Sequence, residues 1–151
     1  MKATPAMRNH DLRKLAAAPA PALFAGPRGA GKTRAAQDIA DALGVELRRI
    51  DLSQLVSPYI GETEKNIDRL FDDTASAGVV LLLDEADALF GKRTEVRDAH
   101  DRYANTAADH LIARLEAHPG HAIVMARRRE ALDPAFVRRL RFVIDFPRPG
   151  K

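Results

Sequence analysis

Residues 26–33 read Gly-Pro-Arg-Gly-Ala-Gly-Lys-Thr, and this octet restricts the possible folds more than any other stretch of the chain. Glycine accepts backbone angles that other residues resist. Gly26, Gly29 and Gly31 therefore permit a tight curl whose N–H groups turn inward toward an anion. Before the octet lies a short apolar run, Pro21–Ala25; after it, Ala36, Ile39, Ala40 and Leu43 recur at helical spacing. A strand, a glycine-rich turn and a helix start, in that order, make an anion site, because unpaired N–H groups and the helix dipole converge there. Lys32 adds a compact positive charge suited to β- and γ-phosphates, and Thr33 a hydroxyl suited to Mg²⁺. Gly26, Pro27, Arg28, Gly29, Ala30, Gly31, Lys32 and Thr33 are thus the candidate nucleotide-binding residues. Two other readings use the same glycines: a plain turn, or a dinucleotide loop with Asp51, at the end of the next strand, as its ribose-binding acid. Neither requires the Lys-Thr pair.

A second segment, Val79-Val-Leu-Leu-Leu-Asp-Glu85, is an unbroken apolar run ending in two acids. Such a run fits a parallel strand buried on both faces, and the C-terminal edge of an open α/β sheet is where ligands bind. Asp84 at that edge suits Mg²⁺, directly or through water, while Glu85 suits orientation or deprotonation of an attacking water. By themselves the two acids would also serve to end the strand or cap the following helix; placed about 50 residues after a phosphate loop, they point to chemistry.

The chain has 151 residues, near the commonest domain size, with 46% apolar and 30% charged residues, which is globular rather than disordered. No cysteine is present, so disulfides and thiolate metal sites are excluded, as suits a reducing compartment. No apolar run reaches the length of a membrane span. Lys2, Arg8 and Arg13 precede an Ala/Pro segment, but Pro19 and Pro21 interrupt it, and cleavage there would remove the strand that feeds the glycine loop. A signal peptide is therefore not expected, and a cytoplasmic location is. Net charge is only +3, yet six arginines cluster between Arg127 and Arg141 against Glu130 and Asp133. That cluster is compatible with a nucleic-acid surface, a solvated face or a subunit interface.

Hydrophobic periodicity predicts strands over 21–25, 46–50, 79–84, 122–126 and 142–146. It predicts helices over 32–43, 62–77, 104–117 and 134–139, with a charged loop over 91–103. Gly44, Gly78 and Gly120 fall where helices should end. The alternation implies an α/β fold: a three-layer α/β/α P-loop architecture around a five-stranded, mostly parallel sheet. Residues 1–18 show no pattern and are expected to be a flexible linker, leaving 19–151 as one domain.

Several ordered motifs then resemble one family. Ser57-Pro-Tyr-Ile-Gly-Glu-Thr-Glu-Lys-Asn66, Leu83-Asp-Glu-Ala-Asp-Ala-Leu-Phe90, Leu132-Asp-Pro-Ala135 and Arg138-Arg-Leu-Arg-Phe142 look like the large subdomain of AAA+ ATPases. The nearest likeness is to the branch of valosin-containing protein, katanin and spastin and its bacterial relatives. The resemblance runs from about Leu23 to Pro147. It implies binding and hydrolysis of ATP with Mg²⁺, with Thr33 and Asp84 serving the metal and Glu85 catalytic. Arg138 and Arg141 fall on the family's arginine fingers, which act on ATP held by a neighbouring subunit; an arginine's permanent charge and rigid fork suit a γ-phosphate. Without the preceding Asp-Pro-Ala, both would read as solvated arginines. Tyr59, Ile60 and Gly61 match the loop that lines the central pore and grips a polypeptide; the bland alternative is a tyrosine packed under the second helix. His100-Asp-Arg102 is a weaker match to a second pore loop. The implied partners are further copies of the chain in a ring, hexameric in many relatives, and a protein substrate. Neither a membrane nor a nucleic acid is favoured.

The sequence departs from the family in three places. Pro58 replaces a basic residue common before the pore aromatic. Val124-Met-Ala-Arg-Arg-Arg129 lacks the Thr-Asn pair whose Asn helps position the lytic water; an arginine can contact phosphate but cannot accept a hydrogen bond from water. The helical lid that follows the fifth strand in relatives is not in the sequence, which ends at Lys151, so weaker nucleotide affinity is expected. These departures keep a second function open: an ATP-binding module with little turnover, acting as a switch or as an assembly partner. A nucleic-acid motor would rest on the arginine cluster alone.

Overall fold

The computed structural model describes residues 21–74, 78–91 and 99–148, with residues 13, 14 and 17; for 99–105 it describes the backbone only. The expected linker over 1–18 lies outside the described residues except at 13, 14 and 17, whose backbone is helical. Five strands form one sheet: β1 (Pro21–Ala25), β2 (Glu46–Asp51), β3 (Val79–Asp84), β4 (Ala122–Ala126) and β5 (Phe142–Asp145). Their order is β2-β3-β4-β1-β5, and every pairing is parallel. The expected α/β class and five-stranded sheet are therefore observed, with strand bounds within one residue of the expected ones.

The pleat divides the core in two. Leu23, Leu81, Leu83 and Val124 point to one face, where they meet the buried Ile67, Phe71, Leu111 and Leu115. Ala22, Phe24, Val80, Leu82, Ile123 and Met125 point to the other, against Ala35, Ala36, Ile39 and Ala40. The second set of helical residues belongs to α1 (Lys32–Leu43); the first belongs to α2 (Glu62–Thr74) and α4 (Ala99–Ala117). Helices on both faces leave the central strands fully buried, which is why they read as continuous apolar runs. Gly44 ends α1 with φ +71, its N–H donating to the carbonyls of Ala40 and Asp41.

Helix boundaries differ from expectation in places, and the short helix from Pro134 ends at Val137 rather than 139. α4 begins at Ala99 rather than 104, so the charged segment expected to be a loop is helical from that point, while residues 92–98 lie outside the described residues. Apolar periodicity starts only at Ala104, and the described core contacts of the helix begin at Ala107. Helix once nucleated there extends backwards over residues that carry no packing signal. The weak match to a second pore loop at His100-Asp-Arg102 thus falls on the first turn of α4. α2 ends at Thr74, with 75–77 outside the described residues.

Two short helices complete the C-terminal edge of the sheet. α3 (Asp87–Phe90) follows β3, and α5 (Pro134–Val137) precedes β5. Asp133 caps α5 by accepting from the Ala135 N–H at 3.0 Å, and Pro134 occupies the first turn, where no N–H partner is lost. Phe90 stacks on Phe136 with ring centroids 3.6 Å apart and planes 6° apart. The Asp133 N–H donates to the Phe90 carbonyl at 2.8 Å, and Gly91 bridges Leu132.

Candidate functional site

The octet at 26–33 joins the end of β1 to the start of α1, and its glycines serve two different purposes. Gly29 and Gly31 have φ of +79° and +99°, the left-handed angles that the curl requires. Gly26 does not: a Cβ there would lie 2.3 Å from the Phe146 carbonyl oxygen and 2.8 Å from its Cβ. The first glycine is needed because β5 closes against the chain at that point. Its N–H continues the sheet, donating to the Ala126 carbonyl at 3.0 Å. Asp51, the acid of the dinucleotide alternative, instead caps the turn after β2, accepting from the Ser53 N–H at 2.9 Å and hydroxyl at 2.6 Å.

A cavity of about 370 Å³ opens over the C-terminal edge of the sheet. Pro27, Arg28, Gly29, Gly31, Lys32 and Thr33 line it with Arg34, Arg49, Asp84, Glu85, Met125, Ala126 and Arg127. Ala30, buried, underpins the loop and is not among the lining residues, and Gly26 is set back against β5. Lys32 folds over the loop, its ammonium donating to the carbonyls of Gly26 and, at 3.2 Å, Pro27. Burial lowers the Lys32 pKa from its ordinary value; Asp84 opposes this, while the charges of Arg127 and Arg28 reinforce it. A lysine so placed gains most from an anion, because added negative charge relieves both the burial and the repulsion.

Asp84 ends β3 and is held from two sides. Its Oδ1 accepts the Glu85 N–H at 2.8 Å, and its Oδ2 pairs with the Arg49 guanidinium at 2.6 Å. Burial alone would push this carboxyl up, but the Arg49 hydrogen bond, the Glu85 N–H and the Arg49 and Lys32 charges together hold it below the usual range. Asp84 is therefore an anion at neutral pH. Thr33 faces the same cavity, its hydroxyl 3.8 Å from the Met125 sulfur, a partner that competes weakly. A hydroxyl and a carboxylate lining one cavity are hard oxygen donors, so the residues fit Mg²⁺. Glu85 has φ +61°, the one non-glycine residue with positive φ among those described. Such angles cost about 1–2 kcal/mol and persist where the surroundings enforce them. Here the next residue is pinned, the Ala86 N–H donating to the Met125 carbonyl at 3.3 Å.

The remaining sequence candidates lie elsewhere. Arg138 and Arg141 are exposed and do not line the cavity. Arg138 makes no ion pair among the described residues, and Arg141 stacks over the Phe142 ring at 5.6 Å. Within the arginine cluster, Arg129 pairs with Asp145 at 2.8 Å and Arg139 with Glu116 at 2.6 Å, so part of its charge is spent inside the fold. Tyr59 and Ile60 are 75% and 71% exposed, which removes the alternative of a tyrosine packed beneath α2. Gly61 turns at φ +80°, and the Glu62 N–H closes back on the Tyr59 carbonyl at 3.2 Å, so two large apolar side chains stand on a tight turn. Arg49 entered no motif, and Arg127 entered only as one end of the arginine cluster and within the stretch that lacks the family's Asn. Neither carries a local signal: sheet order alone brings both to the cavity.

A family model described as "ATPase family associated with various cellular activities (AAA)" matches residues 22–148. Among curated proteins, the chain is 36% identical over 128 residues to an uncharacterized AAA family ATPase, y4kL, of Sinorhizobium fredii, covering 84% of this chain and 38% of that protein. It is 35% identical over 124 residues to the ATP-dependent zinc metalloprotease FtsH 3 of Sphaerobacter thermophilus, covering 80% and 25%. To the proteasome-activating nucleotidase of Pyrococcus furiosus it is 34% identical over 134 residues, covering 84% and 34%. The chain thus spans between a quarter and two fifths of the length of these relatives.

Proposed function

Because the chain belongs to the AAA family of ATPases, we propose that it binds ATP with Mg²⁺ across residues 26–33 and hydrolyses it within a ring of subunits, using the energy to remodel or unfold a protein substrate. The observation that carries this reading is the single cavity in which the glycine loop, Lys32, Thr33, Asp84 and Glu85 converge. Lys32 and the loop N–H groups hold the phosphates. Thr33 and Asp84 would hold the metal, which would neutralise phosphate charge when bound. Glu85 takes a proton from water as the water oxygen attacks the γ-phosphorus and the bond to the β-phosphate oxygen breaks, releasing ADP. Arg138 and Arg141 are exposed and do not line their own cavity, so in this proposal they act on the γ-phosphate of an adjacent subunit. Tyr59 and Ile60, exposed on their turn, would grip the polypeptide. The domain over 19–151 is the ATPase core in this proposal, with pore and finger motifs that resemble those of the valosin-containing protein branch. A cytoplasmic setting suits its cysteine-free sequence. Among the described residues no helix is long and apolar enough to cross a membrane.

Phosphate release measured against protein concentration, with and without Mg²⁺, tests the reading. Turnover should rise with concentration, fall about a hundredfold or more in Glu85→Gln, and fall similarly in Arg138→Ala. A Glu85→Gln variant as active as the parent would remove the catalytic assignment. One observation favours a second reading, an ATP-binding module with little turnover: Arg127 lines the cavity just beyond β4, where relatives place the Asn that positions water. Binding of a labelled ATP analogue with no phosphate release at any concentration would decide for it.

A further inference from the structure

Two consecutive arginines on the edge strand β2 are sent opposite ways by the pleat. Arg48 turns to Glu46, on its own strand, at 3.2 Å. Arg49 sits beside Leu82 in the register with β3, and its long side chain reaches forward past that residue to Asp84. There it lines the cavity with Lys32 and Thr33. Both Asp84 oxygens are thereby engaged by the chain's own donors, the Glu85 N–H on one and the Arg49 guanidinium on the other. A cation approaching Asp84 must therefore contend with a guanidinium already at contact distance.

We propose that Arg49 is a positioning residue for the metal–nucleotide complex: its guanidinium is the counter-ion that a cation on Asp84 displaces, and once displaced it remains in the phosphate cavity as a fixed positive charge for the nucleotide. The inference rests on the nucleotide-binding reading above. It carries a signature that a merely structural ion pair lacks, because removing the guanidinium acts in opposite directions on two affinities. Metal-free nucleotide loses a cation near its phosphates, while the divalent ion loses its competitor at Asp84. The Arg49 side chain is 56% exposed and Asp84 24%, so solvent screening keeps each effect to about three- to fivefold rather than the large factors of a buried pair.

The test titrates a fluorescent, non-hydrolysable ATP analogue into the full chain in EDTA and in saturating Mg²⁺. Electron paramagnetic resonance then follows Mn²⁺ binding in the presence of the same analogue. In Arg49→Met the EDTA affinity should fall about threefold and the gain in affinity on adding metal should rise about three- to fivefold, with tighter Mn²⁺ binding by the same factor. Arg48→Met, the same change one residue away, should leave both unchanged. Should Arg49→Met not fold, Arg49→Gln, which retains a polar head without the charge, is expected to shift both quantities in the same directions. An unaltered metal gain, or parallel losses with and without metal, would overturn the role of Arg49 while leaving nucleotide binding intact. A parent chain that binds no analogue would overturn the nucleotide reading itself.

Discussion

Gly26→Ala separates what the first glycine of the loop does for packing from what the loop does for phosphate. Gly26 has no positive φ, so the backbone raises no objection to alanine. The obstacle is β5. The new methyl would stand 2.3 Å from the Phe146 carbonyl oxygen and 2.8 Å from the Phe146 Cβ, distances that real Cβ atoms do not tolerate. Relief requires β5 to retreat, yet the Phe146 N–H is bound to the Ala25 carbonyl at 2.7 Å and its ring packs on Phe24 with centroids 5.0 Å apart. Overpacking costs about 1–3 kcal/mol; loosening one hydrogen bond and one ring pair adds about 1 kcal/mol more. A total of about 2–4 kcal/mol corresponds to a melting temperature about 6–12 °C lower for a domain of this size. Circular dichroism melts of Gly26→Ala and Gly29→Ala make the comparison. The Gly29 methyl would meet nothing within 4 Å, and its cost is the left-handed angle alone, about 1–2 kcal/mol. Gly29→Ala should therefore melt at a temperature between those of the parent and Gly26→Ala. A Gly26→Ala variant melting within about 2 °C of the parent would refute the packing argument. So would lost nucleotide affinity with stability intact, which would return Gly26 to the phosphate site.

Two further outcomes are expected. His118 lies edge-on to Phe71 with its Nε2 unbonded among the described residues, and burial, then the charges of Arg114 and His121, hold its pKa below the ordinary value near 6.5. A lowered histidine pKa means the unfolded chain takes up the proton first, so stability is full above about pH 6.5 and is lost as pH falls below it. Urea midpoints at pH 7.5 and 5.5 should drop further in the parent than in His118→Leu; equal drops would discard the assignment. Tyr59→Ala, which truncates a side chain 75% exposed, should leave stability within about 0.5 kcal/mol while reducing any stimulation of turnover by an unfolded polypeptide. A melt several degrees lower would make Tyr59 a packing residue.

What could be read from the sequence was whatever depends on local pattern. Val79–Leu83 and Ala122–Ala126 are buried on both faces, so their apolar runs marked them as strands without ambiguity. Lys32, Thr33, Asp84 and Glu85 occupy fixed positions relative to strand ends, and the sheet edge gathers them at one cavity. Three things depended instead on long-range placement. Gly26 looks like its neighbours in the octet, and only the approach of Phe146 reveals a different need. Arg49 resembles Arg48 on a charged edge strand, and only the pairing of β2 with β3 brings its side chain within reach of Asp84. Arg129 and Arg139 read as free charge until Asp145 and Glu116, distant in sequence, neutralise them. The start of α4 was hidden for the opposite reason: its first turn shows no apolar spacing, so there was no pattern to read.

The same long-range contacts suggest how one cavity and its neighbour's arginines would be held in a common frame. Glu85 leads directly into α3, whose last residue, Phe90, lies flat on Phe136 of α5. Arg138 follows α5 immediately, its N–H bound to the Pro134 carbonyl at 3.0 Å. The Asp133–Phe90 hydrogen bond and the Gly91–Leu132 bridge tie the same two segments through their backbones. Between the acid that would activate water and the arginine that would serve the next subunit there is therefore a packed path of two short helices rather than a loose loop. Packed elements move as units because their interfaces resist continuous deformation. In a ring, a shift of the acidic turn on binding nucleotide would carry Arg138 with it, and the occupancy of one cavity would alter the charge offered to the next. The stacked pair Phe90–Phe136 would be the joint for such coupling. Its loss should uncouple neighbouring sites before it empties either of them.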